Sequence, residues 1–154
     1  MKILTRRTFI TGTSKAATGV CLCGIGGCAT LSGVGDTPAV KPSAYSVSDH
    51  NITIQLDQVP ELSRVGGSAK IVDEKLQQKI IIARVSEEDY ITASISCTHM
   101  GTEVEYRHQD NRFQCASLGG SKYRLDGTVI GGPAEAPLAL YGNSVNDNRL
   151  IIES

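Results

Sequence analysis

The chain has no tryptophan, two phenylalanines and five tyrosines among its 154 residues. A core built on large aromatics is thereby excluded. The interior has to come from Val, Ile and Leu, and the branched ones favour strands. Charge of one sign is missing too: 15 Lys and Arg against 16 Asp and Glu leave a net charge of −1. No Lys/Arg run stands outside the N-terminus, so the electrostatic footprint of a nucleic-acid binder is absent. No apolar run reaches the roughly 20 residues of a membrane span. The weakly apolar stretch 16–27 is short and rich in glycine. Histidine is scarce too, with three in all (His50, His99 and His108). Beyond Cys115 the chain has no imidazole to offer a metal.

What is present begins with the N-terminus. Lys2, Arg6 and Arg7 precede Thr8-Phe9-Ile10 and the stretch 16–27, which are the charged and apolar regions of an export signal over 1–31. Arg6-Arg7 followed by Phe9 and Ile10 is similar to a twin-arginine signal, which carries folded proteins across the bacterial inner membrane. Ile25-Gly26-Gly27-Cys28-Ala29 has the small residues that precede the acylated cysteine of a lipoprotein, making Cys28 a candidate for lipidation. The alternative is that Cys28, like Cys21 and Cys23, is a small apolar residue of a signal cut elsewhere or retained. Either way the expected location is extracytoplasmic, periplasmic and membrane-associated. Residues 32–44, with Gly33, Gly35, Pro38 and Pro42, read as a flexible tether. That leaves 45–154 as one domain.

Over that domain the pattern is β. Ile52, Ile54 and Leu56 alternate with polar residues, and runs at 69–72, 79–85 and 90–95 follow, the last leading directly into Cys97. Segments 103–106 and 112–114 flank a turn at Gln109-Asp110-Asn111. Segments 123–125 and 128–130 flank Asp126-Gly127, a strong tight-turn signal. A final strand is expected over 149–152. Many short strands and no convincing helix predict an all-β antiparallel sandwich or barrel.

Two loops carry chemistry. Cys97-Thr98-His99-Met100-Gly101 puts a thiolate and an imidazole one residue apart, and Cys115 opens the glycine-rich run Cys115-Ala116-Ser117-Leu118-Gly119-Gly120-Ser121. Glycines let a backbone approach a bound group closely. Cys97, His99 and Cys115 also make the three-ligand set of an open Zn²⁺ site.

These motifs, in this order, resemble the Rieske 2Fe–2S domain over about 45–154. Gly120-Ser121-Lys122-Tyr123 and Leu125-Asp126-Gly127 follow that family's pattern after its second loop. Gly132-Pro133-Ala134, with Pro137-Leu138, is similar to its proline loop. The resemblance implies a Rieske-type antiparallel sandwich or barrel with a two-loop cluster-binding subdomain. It also implies a 2Fe–2S cluster with two thiolates on one iron and two imidazoles on the other. Cys97, His99 and Cys115 would be ligands, Ser121 would donate to a bridging sulfide, Tyr123 to a cysteine sulfur, and Gly132, Pro133 and Ala134 would cover the cluster.

The chain departs from that pattern at two places. The cysteines of the loop disulfide found in many membrane-complex members would fall at Thr102 and Ser117. The second ligand histidine falls at Leu118 counted from Cys115, or at Gly119 counted back from Gly120-Ser121. His108 and His50 read as surface residues, and a hydroxyl of Ser117 or Ser121, or water, is a poor substitute for imidazole. Two functions follow as expectations. One is an electron-transfer protein or subunit working with a membrane quinol oxidoreductase or a periplasmic redox enzyme or cytochrome, not an enzyme by itself. The other is a cluster-less structural or binding module closed by a Cys97–Cys115 disulfide.

Overall fold

The computed structural model describes residues 35–48, 51–74, 76 and 78–153. Arg6, Arg7, Cys28 and His50, and with them the expected signal and lipidation site, lie outside the described residues.

Among the described residues, twelve strands form three four-stranded antiparallel sheets. The first orders β1 (Tyr45–Ser48), β2 (Asn51–Gln55), β12 (Arg149–Glu153) and β11 (Asn143–Asn146) side by side. The second orders β10 (Leu140–Tyr141), β5 (Tyr90–Ser94), β4 (Ile80–Arg84) and β3 (Ser68–Ile71). The third orders β6 (Val104–Arg107), β7 (Arg112–Cys115), β8 (Lys122–Arg124) and β9 (Val129–Gly131). The antiparallel all-β architecture is the one expected. No helix among the described residues is long and apolar enough to cross a membrane.

The second sheet is the middle layer, and β4 shows why. A strand covered on one face alternates, whereas a strand covered on both reads as a continuous apolar run. Ile80 and Ile82 pack into one core with Ile52, Ile54, Leu150 and Ile152 of the first sheet. Ile81 and Ala83 face the other way, into a core with Val104, Phe113, Cys115 and Tyr123 of the third sheet. The run Ile80-Ile81-Ile82-Ala83 is therefore buried throughout. Each fully buried Ile contributes roughly 2 kcal/mol. The second core carries the two cysteines.

Residues 35–44 are docked, which corrects the expectation of a free tether over that stretch. Ala39 bridges Lys70 in parallel, Val40 donates its N–H to Lys70 O at 2.8 Å, and Lys70 donates to Pro38 O at 2.8 Å. Lys70 Nζ reaches Glu103 Oε2 at 2.7 Å, and the same carboxylate accepts the Gly35 N–H at 2.9 Å. A proline- and glycine-bearing segment with few apolar side chains gave no period, so this attachment was invisible to pattern.

Candidate functional site

The two cysteines reach one place by different routes. Beyond β5 the chain continues through Ile95, whose carbonyl accepts Val104 N–H at 2.7 Å, and Ser96, which bridges Glu103. Cys97 follows, its N–H bound to Thr102 O at 2.8 Å. Cys115 ends β7, opposite Val104 on β6. Both side chains are 3 % exposed and both are free thiols. Both lie in one buried cluster with Val104, Phe113 and Tyr123.

Glycine is required where the second loop turns. A Cβ on Gly120 would meet the Cys115 carbonyl oxygen at 2.3 Å, and one on Gly132 would meet Ser121 Cα at 2.5 Å. Gly132 also has φ +87°, a region that side-chain-bearing residues avoid. The turn brings Ala134 onto the site, where its N–H donates to Ser121 Oγ at 3.1 Å. Ala134 is buried in the cysteine-bearing core, while Gly132 and Pro133 are exposed above it.

Hydroxyl protons around Cys97 can be counted. Thr98 Oγ1 donates to the Ala136 carbonyl at 2.7 Å, which uses its one proton. In its 3.1 Å contact with Tyr123 Oη it must therefore accept, and Tyr123 donates. Tyr123 Oη also accepts the Thr98 N–H at 3.2 Å. With its proton spent on Thr98, it accepts from the Cys97 thiol at 3.1 Å. Loss of the Cys97 proton reverses that last bond, because a thiolate only accepts. Tyr123 then has to turn its proton from Thr98 to sulfur.

The electrostatics agree with a site that holds a thiolate. Burial pushes the Cys97 thiol up, but bonds from the Tyr123 hydroxyl, the His99 backbone N–H, Ser121 and Cys115 outweigh it and leave Cys97 below the ordinary thiol value. Tyr123 moves the other way, raised first by burial and then by Cys97. Cys115 has its own hydroxyl partner, Ser117 Oγ, at 3.1 Å.

The structure thus gathers Cys97, Cys115, Ser121, Tyr123 and Ala134. It leaves His99 on the exposed side of the first loop and Leu118 wholly exposed at the tip of the second. Gly119, at φ +78°, has open space where a Cβ would stand. The single-Zn²⁺ expectation for Cys97, His99 and Cys115 is not met: among the described residues no three His, Cys, Asp or Glu converge on one point. The two thiols face inward and His99 does not. His108 follows β6, four residues beyond Val104, which at ~3.3 Å per residue places it about 13 Å along the strand direction from the Cys115 level. Its Nδ1 is bound to Tyr106 Oη at 3.0 Å. Sequence reasoning missed Thr98, whose place between Cys97 and His99 marks it as loop but not as the tie to Ala136.

A groove of about 930 Å³ lies at the Tyr90 end of β5, away from the thiols, which follow its Ser94 end. Its arginine, Arg84, is spent on the carbonyls of Leu62, Ser63, Ser86 and Glu87.

Comparison with known proteins decides the family. The model of the Rieske [2Fe-2S] domain matches residues 53–142. The chain belongs to the Rieske [2Fe-2S] domain family. A cytochrome b6-f complex iron-sulfur subunit of Chlorobaculum thiosulfatiphilum is 32% identical over 131 residues, covering 79% of this chain and 70% of that protein. The cytochrome b6-f complex iron-sulfur subunit 3 of a Nostoc species is 31% identical over 97 residues, with 55% of this chain and 54% of that one covered. The chain therefore spans between about half and 70% of these relatives' lengths. In structure, the ferredoxin of carbazole 1,9a-dioxygenase from Nocardioides aromaticivorans shares the Rieske fold at TM-score 0.53 and 14% identity, over 66% of this chain and 93% of that one.

Membership in the Rieske family implies a 2Fe–2S cluster. The residues fit its thiolate half: Cys97 and Cys115 stand together, buried, with hydroxyls on both sulfurs. On the first loop His99 carries an imidazole, and Leu118 and Gly119 of the second loop carry no nitrogen-bearing side chain.

Proposed function

We propose that this Rieske protein is an electron-transfer subunit of a membrane quinol oxidoreductase. In this reading it is exported by the twin-arginine route and held at the membrane by its N-terminal segment, with Cys28 as the lipid attachment site. The observation that carries the redox part is the buried pair Cys97 and Cys115, lined by Tyr123, Ser121 and Ser117 and roofed by Ala134. Hydrogen bonds to cluster sulfurs raise reduction potential, which suits a carrier accepting electrons from a quinol. The relatives' role in cytochrome b6-f complexes supports the partner class. The Arg6-Arg7 motif supports the route, since folded export suits a protein that acquires its cofactor before transport.

The test is anaerobic purification from a host with a working twin-arginine pathway, followed by visible absorption and low-temperature EPR of the reduced protein. The expected result is a reduced 2Fe–2S signal with two irons per chain, and loss of export when Arg6 and Arg7 are both replaced by Lys. Protein that stays colourless and free of acid-labile sulfide after iron and sulfide loading would overturn the redox part. Undiminished export of the double Lys variant would overturn the route.

A further inference from the structure

Leu118 and Gly119 bring no nitrogen side chain to the second loop, and the two cysteines are buried in one core. Cys97 and Cys115 are each 3 % exposed, free, and packed in the same buried cluster. Their backbones are held from both sides. Cys97 is tied through Thr102, Cys115 lies opposite Val104, and Ala116 donates to Glu103 O at 2.9 Å. Thr98, His99 and Met100 after Cys97, and Leu118 and Gly119 after Cys115, are exposed, so each cysteine's loop reaches solvent within four residues.

We propose that in the cluster-free protein Cys97 and Cys115 are a reversible dithiol–disulfide couple, closed by a low-molecular-weight disulfide as oxidant. The thiolate of one cysteine attacks a sulfur of glutathione disulfide. An S–S bond to the protein forms, the oxidant's S–S bond breaks, and one glutathione thiol leaves. The second cysteine thiolate then attacks the protein sulfur of that mixed disulfide. The intramolecular bond forms and the second glutathione thiol leaves. The protein dithiol has lost two electrons and two protons, and the oxidant has gained them. The same sulfurs would bind iron, so the closed disulfide and a cluster exclude each other. The couple belongs to the iron-free chain and stands apart from the electron-transfer reading.

The experiment uses the full wild-type chain, stripped of iron with chelator, reduced, and equilibrated anaerobically over a series of glutathione to glutathione-disulfide ratios. Free thiols are blocked with N-ethylmaleimide and the chain is cut with trypsin. Cleavage after Arg84, Arg107, Arg112 and Lys122 puts Cys97 on peptide 85–107 and Cys115 on peptide 113–122, apart from Cys21, Cys23 and Cys28. The expected result is a cross-linked 85–107/113–122 pair that rises with oxidant along a two-electron curve and disappears on dithiothreitol. Maleimide on both peptides at every ratio would overturn the couple, as would glutathione held singly on either peptide without the cross-link. Each sample is also loaded with iron and sulfide. A couple that closes in a chain whose reduced form takes no iron would sink the electron-transfer reading alone. A reduced chain that takes a cluster, but whose thiols never join, would sink the couple alone.

Discussion

Thr98 Oγ1 donates to the Ala136 carbonyl at 2.7 Å, fastening the first cysteine loop to the loop that covers it. The bond joins segments 38 residues apart and fixes the direction of every hydrogen bond between it and Cys97. Replacing Thr98 by Val keeps the shape and removes the donor. The expected cost is about 1 kcal/mol, with the Ala136 carbonyl left to water. Urea unfolding should show a lower midpoint at unchanged slope, and Thr98→Ser should restore most of it. A midpoint equal to wild type in Thr98→Val would mean the two loops are held together by something else.

Tyr123→Phe strips one oxygen from a fully buried ring. Three groups lose a partner at once: the Cys97 thiol, the Thr98 N–H and the Thr98 hydroxyl. Thr98 is exposed and its groups turn to water, while the buried Cys97 thiol is left unsatisfied at about 1–3 kcal/mol, so a loss of about 2 kcal/mol is expected. The Tyr123 bond is the largest influence lowering the Cys97 thiol, so its loss moves that thiol upward. The thiolate fraction of reduced, iron-free protein at a given pH should therefore fall. The pH dependence of alkylation at peptide 85–107 reads this, and an unshifted profile would contradict the assignment of Tyr123 as donor to the thiolate.

Lys70 and Glu103 pair at 2.7 Å with side chains 11% and 15% exposed, and Glu103 also holds the Gly35 N–H. Breaking a largely buried pair by removing one member leaves the other charge stranded, at a cost of about 3 kcal/mol. Lys70→Met alone should be strongly destabilising, whereas Lys70→Met with Glu103→Leu should recover much of the loss. Hydrogen exchange over residues 35–40 should quicken in Glu103→Leu, since the bond to Gly35 goes with the carboxylate. Unchanged exchange there would show that the Ala39–Lys70 bridge suffices to hold the segment.

Alkali acts at a different place. Tyr45 Oη donates to Asp73 Oδ2 at 2.8 Å, and burial, that bond and the carboxylate's charge push the phenol to about 12. Burial also raises Tyr106. For a phenol whose folded value is raised, the folded state holds the proton more tightly. Its contribution to stability is whole below the unfolded value of about 10 and is lost as pH climbs through about 12. Phenolate absorbance of the native protein should lag that of the unfolded chain across this window. The late phase should shrink in Tyr45→Phe.

Much of this architecture is written in the residues. Alternation at Ile52, Ile54 and Leu56 gives β2, although Leu56 itself turns into a short 3-10 segment. The turn expected at 109–111 is a 3-10 turn ending at Asn111 with φ 49°, and Asp126-Gly127 delivers a glycine at φ +83°. Strands β1 and β11 escaped notice because they are edges with almost nothing buried: Tyr45-Ser46-Val47-Ser48 and Asn143-Ser144-Val145-Asn146 owe their conformation to the partners they bond, not to a face they bury. The thiol pair, Tyr123 and the glycine-rich turns were legible because each residue type serves a local geometric need. The Thr98–Ala136 tie and the docking of 35–44 were not. Both join distant segments largely through backbone atoms at one end, and no side-chain period records them.

Leu118 is the position at which an added imidazole tests whether the site lacks a donor. Its side chain is wholly exposed, so replacement disturbs no packing and should change stability by no more than about 0.5 kcal/mol. Leu118→His places an imidazole at the tip of the second loop, three residues beyond Cys115. Gly119 is the poorer choice despite its open surroundings, because φ +78° strains any side-chain-bearing residue by about 1–3 kcal/mol. If one nitrogen is what the site lacks, Leu118→His should take up more iron than wild type under identical anaerobic loading and release it more slowly to a chelator. Iron content by colorimetry and the decay of visible absorption measure both. Equal uptake and equal release would show that wild type already has its full set of ligands, and the place to look would then be the exposed first loop around His99 rather than the tip at Leu118.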